Sequence, residues 1–161
     1  MSHELSISTG LTKEEKYAEL LPQLAALTDG ETDMISCMAN MSAALHATFG
    51  WLWTGFYRVV GNELVLGPFQ GPLACVRIRR GKGVCGTAWA ENRTIVVPDV
   101  EQFPGHIACS SLSRSEIVVP VRGPGGEVTG VLDIDSTETG TFDQTDALWL
   151  EKAAKLLTDC K

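Results

Sequence analysis

The sequence predicts an α+β domain: an antiparallel β-sheet with helices packed on one side. Three observations carry that reading. Helical periodicity dominates both ends of the chain, over residues 13–49 and again from 141 onward. Between them the apolar pattern shortens to period two, over residues 51–60, 63–66, 94–97, 116–122 and 127–135. The strand-like runs are joined by connections such as Gly61-Asn62 and Gly123-Pro-Gly-Gly126, too short for crossover helices and therefore the mark of antiparallel neighbours.

The elements follow in order. Thr12-Lys-Glu-Glu15 has the form of a capping box, and Tyr17, Leu20, Leu21, Leu24 and Leu27 follow at helical spacing. Pro22 is expected to kink this helix or mark its restart. After the break at Thr28-Asp-Gly-Glu31, a second helix carries Met34, Cys37, Met38, Met41, Leu45 and Phe49 on one stripe and ends at Gly50. That stripe reads as core, with methionine as filler and Cys37 as a small buried hydrophobe. His46 lies beside it as a surface or half-buried residue. Alternation then puts Trp51, Trp53, Gly55 and Tyr57 on one face of the first strand, either packed under the helices or forming an aromatic wall for a small ligand. Residues 67–78, interrupted by glycine and proline, are expected to run partly as loop before a strand near Cys75. A short helix over 84–91, a strand over 94–97 and a loop over 98–105 come next. Thr141-Phe-Asp-Gln144 reads as a second capping box, opening a helix with Trp149, Ala153, Leu156, Leu157 and Cys160 in register. Cys160 reads as an incidental thiol.

Composition excludes several classes. With 161 residues, 44% of them hydrophobic, the chain is expected to form one compact domain over residues 13–161 behind a flexible start over 1–12. Net charge is −7 and the longest basic run is Arg79-Arg80, which argues against nucleic acid or a membrane surface as partner. Residues 1–12 lack the basic and apolar regions of a signal peptide, and no apolar run approaches the roughly 20 residues of a membrane span. A cytoplasmic setting is expected. Five cysteines without a C-x-x-C pair fit neither a secreted disulfide framework nor a zinc ribbon. Gly81-Lys-Gly-Val-Cys-Gly86 formally matches a dinucleotide fingerprint, but its helix spans about two turns and no βαβ unit surrounds it.

Chemistry concentrates between residues 105 and 136. If the Gly123-Pro-Gly-Gly126 loop closes with Arg122 opposite Glu127, Glu116 falls opposite Asp133, and Glu116, Asp133 and Asp135 share one face. Three like charges that close require either a bound cation or a proton held near neutral pH. The cation reads as an organic ammonium with one carboxylic acid kept protonated as a donor, or as a metal. Cys109 lies three residues after His106 and five before Arg114, each able to lower a thiol pKa if its charge comes near. A catalytic thiolate with a resolving partner is one reading. Zinc on Cys75, Cys85, Cys109 and His106 is another.

These residues together resemble the free methionine-(R)-sulfoxide reductases, single-domain enzymes of the GAF fold. The resemblance runs over nearly the whole chain after the first dozen residues. It rests on Trp53-Thr-Gly-Phe-Tyr57, Leu64-Val-Leu-Gly-Pro-Phe-Gln-Gly71, Ala74-Cys75, Gly83-Val-Cys-Gly86, Gly105-His-Ile-Ala-Cys109, Ser115-Glu-Ile-Val118 and Gly130-Val-Leu-Asp-Ile-Asp-Ser136. It implies a GAF-like sheet, with Cys109 as nucleophile, Cys75 as the thiol that forms a disulfide with it, and Cys85 as an alternate resolving thiol. It also implies that Glu116, Asp133 and Asp135 bind the amino group and assist the sulfoxide, while Trp53 and Tyr57 shape the pocket around the methyl end. No cofactor or metal is implied; the partners would be free methionine-R-sulfoxide and thioredoxin as reductant. A homodimer is compatible with the sequence. The competing class is a small-molecule-binding GAF sensor without catalysis. Such a module usually sits beside an output domain, for which 161 residues are expected to leave no room.

Overall fold

The computed structural model describes residues 4–160. Six strands form one antiparallel sheet: β1 (Trp53–Val60), β2 (Glu63–Gln70), β3 (Arg77–Arg79), β4 (Ile95–Val97), β5 (Ser115–Arg122) and β6 (Val128–Ser136), in the spatial order β3-β2-β1-β6-β5-β4. The helices are α1 (Lys13–Thr28), α2 (Met34–Phe49), α3 (Gly83–Glu91) and α4 (Gln144–Lys155), with one 3-10 turn at Val100–Gln102.

One face of the sheet is dry. The three long helices α1, α2 and α4 lay Leu20, Leu24, Met38, Met41, Leu45 and Leu150 against Phe56, Ile117, Val119, Val121, Leu132 and Ile134. One polar network crosses this layer: Tyr17 donates to Asp146 Oδ1 at 2.6 Å, and Lys13 reaches Asp146 Oδ2 at 2.6 Å. Asp146 is fully buried, so its charge is matched by two partners that tie α1 to α4. On the opposite face, short α3 covers only part of the sheet, packing Val84, Ala88 and Trp89 near Val118 and Val131. What α3 leaves uncovered is where the pocket lies.

Local chemistry sets the boundaries. Thr12 and Glu15 form the expected capping box, and α1 runs through Pro22 as a single helix. Gly50 ends α2 in the left-handed conformation at φ 65°. At α4 the box is shifted two residues: Asp143 is the cap and Asp146 its partner, in place of Thr141 and Gln144. A carboxylate at the cap accepts from two amides, Thr145 and Asp146, which the Thr141 hydroxyl does not. Strand β2 continues through Pro68 to Gln70, further than expected, so the loop before β3 is confined to residues 71–76. Trp51 is corrected as well. It precedes β1 and turns into the dry layer, stacking on Phe49 with ring centroids 4.3 Å apart. Of the start expected to be flexible, residues 1–3 lie outside the described residues; Ser6 and Ser8 hydrogen-bond to Gln23 and Glu19 of α1. Among the described residues no helix is long and apolar enough to cross a membrane.

Candidate active site

The β5–β6 hairpin has a register two residues away from the expected one. Gly123 N–H donates to Glu127 O, so the turn closes one residue later than Arg122 opposite Glu127. A bulge at Val121/Arg122 then adds a second residue of offset. Glu116 therefore lies opposite Asp135, and Val118 opposite Asp133. Because side chains alternate with period two, a shift of two leaves every residue on its expected face. Glu116, Asp133 and Asp135 still gather on the face away from the long helices.

Strand β1 completes the floor. It pairs with β6 so that Trp53 faces Asp135 and Gly55 faces Asp133. A Cβ at Gly55 would overlap Phe69 and the Trp53 ring, so glycine is what lets the aromatic side chains fold across this position. Trp53 stacks on Phe69 and on Tyr57, with centroids 5.1 and 5.9 Å apart. The polar ends of both residues hold the loop that carries Cys75: Tyr57 Oη donates to Cys75 O at 2.9 Å and Trp53 Nε1 to Pro72 O at 3.1 Å. The two aromatics thus form a pocket wall and also anchor one of the sulfurs.

The other sulfur arrives on the loop of residues 103–114. Cys109 is exposed and is bonded to half-buried Cys75, with their Cα atoms 5.6 Å apart. The same loop reaches two of the carboxyls. Ser113 Oγ donates to Asp135 Oδ1 at 2.9 Å, and His106 Nε2 lies 3.3 Å from Glu116 Oε1. Ile107 closes over the start of α3, where Gly83 adopts φ 61° and a Cβ would press on its side chain at 3.0 Å. One pocket is lined by both disulfide cysteines' neighbourhoods, by Trp53, Tyr57 and Cys85, and by all three carboxyls.

Electrostatics in this pocket favour neutral forms. Glu116 is 5% exposed and Asp133 6%. Burial, with Asp135 adding to it, pushes Glu116 up to about 8. Burial raises Asp133 well above the carboxylate range, with Glu116 adding, and raises Asp135 likewise, with Asp133 adding. Glu116 therefore holds a proton near neutral pH, and Asp133 and Asp135 are shifted in the same direction, in keeping with the crowding of like charges. Burial pushes His106 down, so its contact with Glu116 joins a neutral imidazole to a protonated carboxyl. Asp133 Oδ1 has no hydrogen-bond partner among the described residues. A buried acceptor of that kind costs about 1–3 kcal/mol until a donor meets it.

Cys85 sits beneath the carboxyls at the start of α3, 4% exposed and unbonded to another cysteine. Burial and then Asp133 raise its thiol well above the usual range. Its sulfur and the carboxyl oxygens of Glu116 and Asp133 lie within 4.8 Å of one another, a compact donor set for a cation. The zinc set of Cys75, Cys85, Cys109 and His106 does not assemble here, because two of its sulfurs are bonded to each other. Sequence reasoning passed over Ser113. Four serines lie within 110–115, and only the loop's path shows which one reaches a carboxyl.

A pocket on one face of an antiparallel sheet, opposite a layer of long helices, is the arrangement of a GAF domain, and the GAF domain family model matches residues 36–159. Over 158 residues the chain is 55% identical to GAF domain-containing protein A of Dictyostelium discoideum, covering 98% of this chain and 99% of that protein. It is 48% identical to the free methionine-R-sulfoxide reductase of Escherichia coli, covering 84% of this chain and 82% of that one. It superposes with a TM-score of 0.94 on the X-ray structure of free methionine-R-sulfoxide reductase from Neisseria meningitidis in complex with its substrate, at 53% identity and covering 98% and 94% of the two chains. The chain belongs to the free methionine-R-sulfoxide reductase family of GAF-domain proteins.

Proposed function

We propose that this protein reduces free L-methionine-(R)-sulfoxide to methionine. One observation carries the reading: Cys109, which is bonded to Cys75, lines the same pocket as three carboxyls, two of them buried and one with an unpartnered oxygen. In the reduced protein the Cys109 thiolate attacks the sulfoxide sulfur. A carboxylic acid of raised pKa protonates the sulfoxide oxygen, which ends on Cys109 as a sulfenic acid while methionine leaves. The Cys75 thiol then attacks the sulfenic sulfur, forming the disulfide and releasing water. Cys75 suits this step because its loop is held by Tyr57 and Trp53. Cys85, buried with a raised thiol pKa, is the poorer resolving thiol.

The carboxyl cluster selects the substrate. An α-ammonium supplies donors to Asp133 Oδ1 and to its neighbours, and its positive charge draws a proton out of the cluster. A methionine sulfoxide residue within a polypeptide carries an amide there and offers no such charge. Trp53 and Tyr57 give the apolar wall for the methyl end. Exchange with a thioredoxin-type dithiol protein restores the two thiols, and Cys109 is the accessible end of the disulfide. A reducing, cytoplasmic compartment fits that cycle.

The test is turnover with each methionine sulfoxide epimer, free and within a peptide. The free R epimer alone is expected to be reduced, and Cys109→Ser to abolish the reaction with the fold intact. Full turnover by Cys109→Ser would sink the mechanism.

A further inference from the structure

The remaining two cysteines lie in the dry layer, far from this chemistry in sequence and on the other face of the sheet. Cys37 is in the first turn of α2, and Cys160 lies beyond α4. Although the two lie 123 positions apart in sequence, their sulfur atoms are 2.7 Å apart, well inside an ordinary S–H···S contact. They are 2% and 5% exposed. Cys160 is brought there by the turns that follow α4, its N–H bonding to Leu157 O at 3.1 Å, and its sulfur also lies 3.6 Å from Glu31 O.

We propose that Cys37 and Cys160 form a second disulfide, a structural lock that closes under oxidation and stays closed while Cys75–Cys109 turns over. The part about turnover rests on the proposed reductase activity; the bond itself does not. The oxidant is a hydroperoxide. One thiolate takes the terminal oxygen of the O–O bond and becomes a sulfenic acid as water or an alcohol leaves. The second thiol attacks that sulfur, forming S–S and releasing one water. Two thiols lose two electrons and two protons, and the O–O bond accepts them.

Position makes this pair differ from the first. Burial, then the Cys160 thiol beside it, pushes Cys37 up to about 12, so little thiolate is available and the first step is slow. Oxidation waits on opening of the turns at residues 156–159. Exchange with a reductant has the same requirement, since an attacking thiolate must approach along the S–S axis. A protein dithiol that reaches exposed Cys109 does not reach two sulfurs under the helices. Once closed, the bond links α2 to the segment after α4 and removes conformational freedom from the unfolded chain across more than a hundred residues. A loop of that size corresponds to a rise in Tm of about 5–15 °C.

The experiment treats the reduced protein with hydrogen peroxide, without methionine sulfoxide, then alkylates free thiols and maps the cross-linked peptides. Expected are an intramolecular Cys37–Cys160 peptide and the stated rise in Tm over the reduced protein. That rise should persist in the Cys75→Ser/Cys109→Ser double variant and vanish in Cys160→Ser. Thioredoxin is expected to reopen Cys75–Cys109 and leave the second bond in place. Cys37 and Cys160 still quantitatively alkylated, after denaturation, when peroxide treatment has been prolonged until no further thiol is lost overturns the proposal, as does a bond that forms with no change in Tm. Failure of methionine sulfoxide reduction, with the Cys37–Cys160 bond still formed by peroxide, counts against the reductase reading alone.

Discussion

The two faces of the β5–β6 hairpin are built from the same two strands and both are largely buried, yet they are held together by different physics. Towards the long helices the hairpin presents Ile117, Val119, Leu132 and Ile134, all at 0% exposure. Towards the pocket it presents Glu116 and Asp133, at 5% and 6%, with Asp135 beside them. The first face is stabilised by removing hydrocarbon from water, on the order of 1.5–3 kcal/mol per large side chain. The second gains little from burial and remains tolerable because the fold shifts its acids towards their neutral forms. The dry face supplies stability that the pocket face uses in holding reactive groups out of water.

The largest effect is expected where a carboxylate is moved to the dry face. Ile134→Asp places a charge in the dry layer with no partner, at a cost comparable to the roughly 5–15 kcal/mol stability of a whole domain. The variant is expected to be unfolded or grossly destabilised by circular dichroism and thermal melting. The converse change should separate function from stability. Asp133→Asn removes a buried acid that the fold does not need, so Tm is expected to hold or rise. Its kcat/KM for free methionine-R-sulfoxide should fall about 10²- to 10⁴-fold, the range of a lost acid and ammonium ligand.

A smaller effect sharpens the same contrast through pH. Glu116 stands at about 8 in the fold against an ordinary 4.5, and Asp133 and Asp135 are raised in the same direction. A group raised on folding contributes its full stability below its unfolded value and loses it as pH rises through the folded one. The ligand-free protein should therefore lose several degrees of Tm between pH 4.5 and about 8. Glu116→Gln should flatten that slope, and bound substrate should reduce it by supplying the cation. A melt that is flat or rising over this window in the wild type contradicts the assignment of protons to the cluster.

How much of this was legible in the sequence follows from the reach of each signal. Period-two alternation put Glu116, Asp133 and Asp135 on one face correctly even though the register moved by two, because parity survives a bulge combined with a later turn closure. The bulge itself leaves no mark in the residues 121–122. The capping box of α1 was readable because its threonine and glutamate have no competitors; at α4, Asp143 outcompetes Thr141, a contest decided by backbone geometry. Trp51 and Trp53 are two residues apart, and alternation assigned them one face. They divide because the strand begins only at Trp53. The sulfur pairs depended on long-range placement. Resemblance pointed to Cys75 and Cys109, but nothing in the spacing of Cys37 and Cys160 brings them together across the whole fold.

In the proposed cycle Cys109 carries the chemistry and Cys75 resolves it, in a pocket that recognises a free amino acid. A single turnover of the reduced protein with each free methionine sulfoxide epimer, quenched by alkylation and followed by disulfide mapping, tests it directly. The R epimer is expected to yield one disulfide, Cys75–Cys109, with Cys85 alkylated, and the S epimer none. Methionine released while Cys109 remains a free thiol, or a first disulfide that leaves Cys109 out, would contradict it.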